Sequence, residues 1–417
     1  MRFILPLLFL SFTQAQDLYE SFESFDKVSK NWYVAKTTFE FDVDKATGNN
    51  RVVEVQRVTG DITIEGQPTS TVTIVEKIEI KARSQSNAKK VFNDTRRPEV
   101  SKSGEGHIQF ERKRNKRNRS IVGFSYEIIV PTDYNLSMHT SGGDINLKHL
   151  MGEAYFKTSG GDIEVRDLTG RLTGKTSGGD FTLEKVEGVA NIKTSGGDID
   201  IYHSDGKFEG TTSGGDIEVL NCRAEVDMHT SGGDIEFKEI KGAKIYGRTY
   251  GGDIDIEDLK GDIRVYTSGG SIEVDGIQGN FDGETSGGNI EFNRVNGHVD
   301  VKVLGGNIIG EMVKGHIFAR TSGGRIEIEK IWDRSFDDHE ISLNTSGGKI
   351  ELILPKDFPA NIEATVFNRR SSGAIDSEIP LEIKLDDGDM YGSGEVNGGT
   401  FSVTLKTSDD TITIEKD

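Results

Sequence analysis

The sequence predicts an all-β chain: a single-stranded β-solenoid (β-helix) of about twelve 18-residue rungs with β-rich N- and C-terminal caps. Three observations carry that expectation. The tetrad Thr-Ser-Gly-Gly starts at Thr140, Thr158, Thr176, Thr194, Thr212, Thr230, Thr267, Thr285, Thr321 and Thr345, and variants at Thr249 and Val303 complete a set of twelve. Nine of the eleven intervals are 18 residues, one is 19 and one is 24. Between the tetrads, apolar and polar residues alternate at the strand period, and no helical period is present.

Counting the Thr as position 1, each rung can be read column by column. Position 6 is Ile145, Ile163, Phe181, Ile199 and Ile217, and it stays apolar to Ile350. Position 8 is nearly as apolar, while positions 5 and 7 are polar. Position 11 is mostly apolar and position 13 is usually Gly, as at Gly152, Gly170 and Gly188. Positions 15 and 17 supply a second inward pair. Where position 17 is Gly, as at Gly174, Gly247 and Gly283, position 15 is Leu172, Ile245 or Phe281, so the pair roughly conserves volume. Parity places the Thr column inward and Lys175 outward. One rung alone cannot bury its apolar side, whereas stacked rungs can. At about 4.8 Å per rung, twelve would make a rod of about 55–60 Å.

The stretch Thr169–Asp180, TGRLTGKTSGGD, has the look of a phosphate loop but fails the spacing. Such a loop needs four residues between its first Gly and the Gly-Lys-Thr, and only three separate Gly170 from Gly174. Its residues are those of an ordinary rung.

The ends read differently. Residues 1–15, MRFILPLLFLSFTQA, have the charged start, apolar run and small final residue of a cleaved signal peptide. The run is too short for a membrane span, and no other stretch is apolar enough. Residues 16–50 read as an N-terminal lead-in, 51–135 as an N-terminal β-rich cap region with a short helix at SQSNAKKVFND, 136–352 as the repeat solenoid and 353–417 as a C-terminal β cap. Only one cysteine, Cys222, is present, so no intrachain disulfide forms. A formal net charge of −19 makes the chain as a whole repel nucleic acid.

The recurrent T-S-G-G-x-I turn, the leader, the segment YEIIVPTDYNLSMHTSGGDI and the tail segments LPKDFPANIEATVFNRRSSGAI and GSGEVNGGTFSVTLKTSDDTITI resemble the bacterial DUF4097 family, whose label is adhesin-like. The resemblance runs from about Arg51 to Asp417. It implies a β-solenoid and no catalytic residues.

Four features are candidate sites. Position 5 stacks carboxylates as Asp144, Asp162, Asp180, Asp198, Asp216, Asp234 and Asp253, then changes to Ser271, Asn289, Asn307, Arg325 and Lys349. Like charges about 5 Å apart repel by roughly 1 kcal/mol, so something must offset them. Turn capping by backbone N–H groups is one answer and a calcium-binding face is the other. The cluster Arg112, Lys113, Arg114, Lys116, Arg117 and Arg119 reads as a solvated hairpin loop or a contact for an anionic envelope polymer. The long 24-residue interval holds Trp332, Phe336, Asp337, Asp338 and His339, a candidate contact patch on an insertion loop. His298 and His316 share position 14 on adjacent rungs, but two imidazoles without a third ligand make a poor zinc site.

Function follows from the surface. The expectation is an exported, non-catalytic cell-envelope binding or scaffold protein, in the periplasm or at the cell surface. Its partner is an envelope polymer, a glycan or another protein, and no cofactor beyond calcium is implied. The alternatives are a calcium-stabilised surface repeat protein and a polysaccharide-active β-helix enzyme, which would need a local acid–base cluster in a groove. An ice-binding face would need outward Thr pairs, against the parity.

Overall fold

The structure, a computed structural model, describes residues 20–43, 51–104, 106–112, 119–367, 373–408 and 410–417. The leader expected at residues 1–15 lies outside the described residues. The chain is all-β apart from one described helix and forms two compact units, Met1–Gly210 and Thr211–Asp417.

In the first unit, the lead-in is an antiparallel hairpin, Glu20–Ser29 with Trp32–Asp42. The second strand pairs antiparallel with Thr71–Lys81, which pairs antiparallel with Ile121–Pro131. The expected helix is present at Gln85–Asp94, where Ser84 caps it by accepting from the Asn87 N–H at 3.2 Å. Its buried Ala88 and Phe92 pack against Tyr33, Ala35, Ile78 and Ile80.

The repeat strands of this unit pair in parallel and in register. Ile145–Lys157 lies on Ile163–Lys175, which lies on Phe181–Lys193, each residue opposite the one 18 later. The burial pattern of Ile145–Lys157 puts positions 6, 8, 11, 15 and 17 inside, as the alternation predicts. The stack also extends into the region read as a cap. Asp61–Gln67 pairs in parallel with Ile145–Lys157, and Val52–Val58 with Asn135–Thr140. Residues 52–67 are therefore a degenerate turn of the same ladder.

The second unit stacks in the same way. Ile254 lies opposite Ile272, Ile272 opposite Ile290, and Ile290 opposite Ile308. Across the long interval the register still holds, with Ile317 opposite Ile341 and Ile326 opposite Ile350. The tail then rejoins: Phe401–Ser408 and Ile412–Lys416 pair in parallel with Ile341–Thr345 and Ile350–Leu354. Thr407 donates its hydroxyl to the Gly348 carbonyl at 2.6 Å, the contact made by a repeat Thr. Between these turns, Ala360–Phe367, Asp389–Val396 and Glu382–Asp386 form an antiparallel excursion.

The Thr column is buried, as parity requires. Thr158 Oγ1 donates to the Gly143 carbonyl at 2.9 Å, and Thr176 does the same to Gly161. Each hydroxyl so ties its turn to the preceding one. The second tetrad Gly is the sterically strict one. A Cβ on Gly161 would sit 2.2 Å from the Gly143 oxygen, while one on Gly160 meets nothing within 4 Å.

Two structural rules were not legible in the columns. Position 10 is left-handed almost throughout, with φ between 51° and 59° at His149, Asp167, Lys185, His203, Asn221, Glu239, Asp258, Arg294 and Met312. It forms the corner between the two strand segments, and its mixed chemistry hides the conformation. The volume partners at position 17 also differ from expectation. A Cβ on Gly174 would lie 2.5 Å from Phe181, and one on Gly247 2.7 Å from Phe237. At Gly283 the crowding ring is that of the position 15 residue, Phe281, again at 2.7 Å. A phenylalanine ring reaches across the core, so its partner is set by ring direction rather than by strand neighbour.

Candidate functional site

The Asp column forms a hydrogen-bonded ladder. Asp162 N–H donates to Asp144 Oδ1 at 2.9 Å, Asp180 N–H to Asp162 Oδ1 at 2.9 Å, and Asp198 N–H to Asp180 Oδ1 at 2.8 Å. In the second unit, Asp234 N–H donates to Asp216 at 2.8 Å, Asp253 N–H to Asp234 at 2.7 Å, and Ser271 N–H to Asp253 at 2.7 Å. Each carboxylate thus spends one oxygen on the amide of the next turn, which offsets part of the repulsion along the column. Asn289 and Asn307 continue the ladder, with Asn307 N–H donating to Asn289 Oδ1 at 2.9 Å. The acceptor geometry matters more than the charge, which is why Asn can replace Asp there. One position-7 acid is visibly stressed: burial, then Glu273, Asp253 and Glu236, push the Asp255 carboxyl up.

The basic cluster divides. Lys113, Arg114, Lys116 and Arg117 lie outside the described residues, and Arg119 is exposed. Arg112 is not a surface group. It is buried and makes a two-pronged bond to buried Glu76, Nε to Oε1 at 2.7 Å and an Nη to Oε2 at 2.9 Å. Its other Nη donates to the Arg96 carbonyl at 2.8 Å, and its guanidinium stacks 4.5 Å from the Phe124 ring. Nothing in the local run of basic residues marks Arg112 apart. Only the inward parity of Phe110, two residues earlier, hints at it.

The insertion loop interrupts the stack of the second unit. The chain leaves the stack after the strand Ile326–Lys330 and returns at Ile341–Thr345. On regular turns, next-turn amides take the corner carbonyls, as Gly315 N–H takes the Gly297 carbonyl at 3.0 Å. Where the chain departs, the Lys330 ammonium substitutes. Its Nζ donates to the carbonyls of Val313 at 3.0 Å, Lys314, and Gly315 at 2.8 Å. Burial pushes Lys330 down to about 7, while the three carbonyls favour its protonated form.

The loop is anchored on both sides. Lys314 pairs with Asp333 at 3.0 Å, and the amide and hydroxyl of Ser335 with that ammonium hold the Asp333 carboxyl below the usual range. His339 is fully buried among the rings of Phe336, Phe358 and Phe401, so it belongs to the loop's core and not to a contact surface. Trp332 lies edge-on to Phe358 and under Arg334, while Asp337 and Asp338 are exposed.

The loop also brings Asp338 to the histidine pair. His298 and His316 stack with ring centroids 4.0 Å apart. Asp338 Oδ2 lies 2.9 Å from His316 Nδ1, and its Oδ1 accepts from the Glu340 N–H at 3.0 Å. One ligand-type atom from each of His298, His316 and Asp338 lies within 4.8 Å of the others. Burial works against the Asp338 carboxylate, yet the Glu340 amide and the His316 ring hold its value low. Burial and then His316 push His298 down. The third group that the column reading lacked comes from 22 residues beyond His316, in the loop.

The second unit also has an open groove of about 860 Å³ at the corner of its turns. In its lining Arg294 reaches Asp258 at 3.5 Å, and it bonds both oxygens of Asp275, at 2.8 and 2.7 Å. Arg294 accordingly holds the Asp275 carboxyl low, the opposite of what a proton-donating acid needs.

No helix among the described residues is long and apolar enough to cross a membrane. No curated protein matches the chain. A solved structure of a protein with a proposed cell-adhesion role, from Clostridium sporogenes, aligns over 95% of this chain and 100% of its own. Its identity is 8% and its TM-score 0.15, so that likeness carries no argument. The Toastrack DUF4097 family model matches residues 59–238, a narrower span than the resemblance suggested. It begins at the degenerate turn before the first tetrad and ends in the strand Ile235–Lys238. Over residues 59–238 the chain is similar to the Toastrack DUF4097 family.

Proposed function

We propose that this protein is an exported, non-catalytic binding or scaffold protein of the bacterial cell envelope. In this reading the parallel ladders form one solenoid of about twelve rungs, and residues 1–15 are its signal peptide. The observation that carries the reading is how the acids are used. The most regular carboxylates are tied into the backbone ladder, and Asp258 in the groove lies beside Arg294. A glycosidase-type site needs two opposed carboxyl groups, one with a raised value, in a substrate groove. Asp255, a described carboxyl pushed up, is raised by burial and then by a row of its own neighbours, with no opposed partner acid.

The insertion loop is the favoured contact surface. It breaks the repeat, is held rigidly by Lys330, Asp333 and His339, and presents Trp332, Arg334, Phe336 and Asp337. Aromatic and arginine side chains on a rigid support are the usual anchors of a binding patch. An envelope polymer, a glycan or a protein is the partner class.

Protease shaving of intact cells, followed by fractionation, tests placement. Cleavage on whole cells assigns a surface role. Protection until the envelope is broken assigns the periplasm. Recovery with the cytoplasmic fraction would overturn export altogether.

A further inference from the structure

We propose that His298, His316 and Asp338 form a binding site for one first-row divalent transition-metal ion, with zinc the natural probe. Two imidazoles and a carboxylate are a donor set that suits zinc and its neighbours, while calcium prefers oxygens alone. The ion would take the place of the proton shared between His316 Nδ1 and Asp338 Oδ2. Those atoms are 2.9 Å apart. Two tetrahedral ligands at zinc bond lengths stand about 3.3 Å apart, so this edge of the site opens by only a few tenths of an ångström.

His298 must move further. Its ring now stacks on His316, and its Nδ1 accepts from the His316 backbone N–H at 3.1 Å. Turning the ring about its Cβ–Cγ bond gives up that contact and brings a nitrogen toward the Nδ1–Oδ2 pair, starting within 4.8 Å. Three protein ligands leave a coordination position open to solvent or to a donor group of a partner.

The surroundings are those of a held site rather than a chance meeting of side chains. Asp338 is oriented by the Glu340 amide on its other oxygen. The imidazoles are walled by the Phe318 ring at 4.7 Å from His316 and the Phe336 ring at 6.3 Å from His298. Ion entry is open, since the Asp338 side chain is 49% exposed and that of His316 22%. Of the charges nearby, the Lys330 ammonium is turned onto backbone carbonyls and Asp333 is occupied by Lys314.

The test is zinc titration of chelator-stripped, full-length mature protein by calorimetry, with cobalt absorption as a second readout. The expected result is one saturable ion per chain, a higher melting temperature with zinc but not with calcium, and a d–d band in the cobalt form. Asp338→Asn and His316→Gln should each weaken binding at least about tenfold. His203→Asn, in the other unit, should leave it unchanged. If His316→Gln fails to fold, the exposed Asp338→Asn decides alone. Absence of saturable binding, or equal affinity in wild type and Asp338→Asn, overturns the site.

Discussion

The two glycines of one tetrad should respond in opposite ways to alanine. In Gly161→Ala the new Cβ would lie 2.2 Å from the Gly143 oxygen and 2.3 Å from its carbon. Real Cβ contacts stay beyond about 3 Å, so the two turns must part by nearly 1 Å. That lengthens the Thr158 hydroxyl bond to Gly143 and the Asp162 amide bond to Asp144, both 2.9 Å. The first is worth about 1 kcal/mol and the charge-assisted second about 1.5–3. Residual strain adds about 1 kcal/mol or more. The expected loss is about 4 kcal/mol, a fall in melting temperature of roughly 8–16 °C for a unit of this size. Gly160→Ala meets nothing within 4 Å. It restricts only the unfolded chain and should stabilise by about 0.4–1 kcal/mol. Thermal melts by circular dichroism on both variants check this. Equal melting temperatures, or a milder effect at Gly161, would refute the close-stacking argument.

Four further outcomes are expected. Asp180→Asn keeps the acceptor for the Asp198 amide and should leave stability within about 0.5 kcal/mol, whereas Asp180→Ala should cost about 1–2 kcal/mol; melts with and without chelator also show whether calcium acts on this column. Arg112→Leu strands the buried Glu76 carboxylate and should cost about 3–5 kcal/mol in denaturant titration. Lys185→Gly relieves a left-handed residue at φ 55° and should raise stability by about 0.5–1 kcal/mol, read as a higher unfolding midpoint. Lys330→Met leaves the Lys314 and Gly315 carbonyls without their ammonium donor and should cost about 2–3 kcal/mol. Because the folded value of Lys330 lies below its unfolded one, the unfolded chain binds more protons from pH 7 to about 10. Wild-type stability should therefore rise through that window relative to Lys330→Met. A flat difference would show that the carbonyl tripod keeps the ammonium charged throughout.

Periodicity made the ladders legible, because each column repeats the same physical demand twelve times. The buried Thr, the inward positions 6, 8, 11, 15 and 17, and the helix after Ser84 all followed from local pattern. What escaped was whatever does not repeat in residue type. The degenerate turns at 52–67 and 401–416 lack the full tetrad, although Thr407 and Ile412 keep its five-residue spacing. The corner conformation at position 10 is imposed by the stack on residues as different as Met312 and Asp167, so composition conceals it. Arg112 sits among residues of its own kind, and only its long-range partner Glu76 distinguishes it. Asp338 could not be joined to the histidines from spacing, because an insertion loop's return path is set by its anchors. Those anchors are the buried His339 and the Lys314–Asp333 pair.

Binding through the insertion loop is tested by co-sedimentation of the purified protein with isolated envelope polymer. Wild type is compared with a Trp332→Ala/Phe336→Ala variant, and the supernatant is assayed for released fragments over time. Wild type should sediment with the polymer, the folded loop variant should stay in solution, and no fragments should accumulate. Time-dependent release of polymer fragments, or sedimentation unaffected by the loop substitutions, would contradict the proposed function.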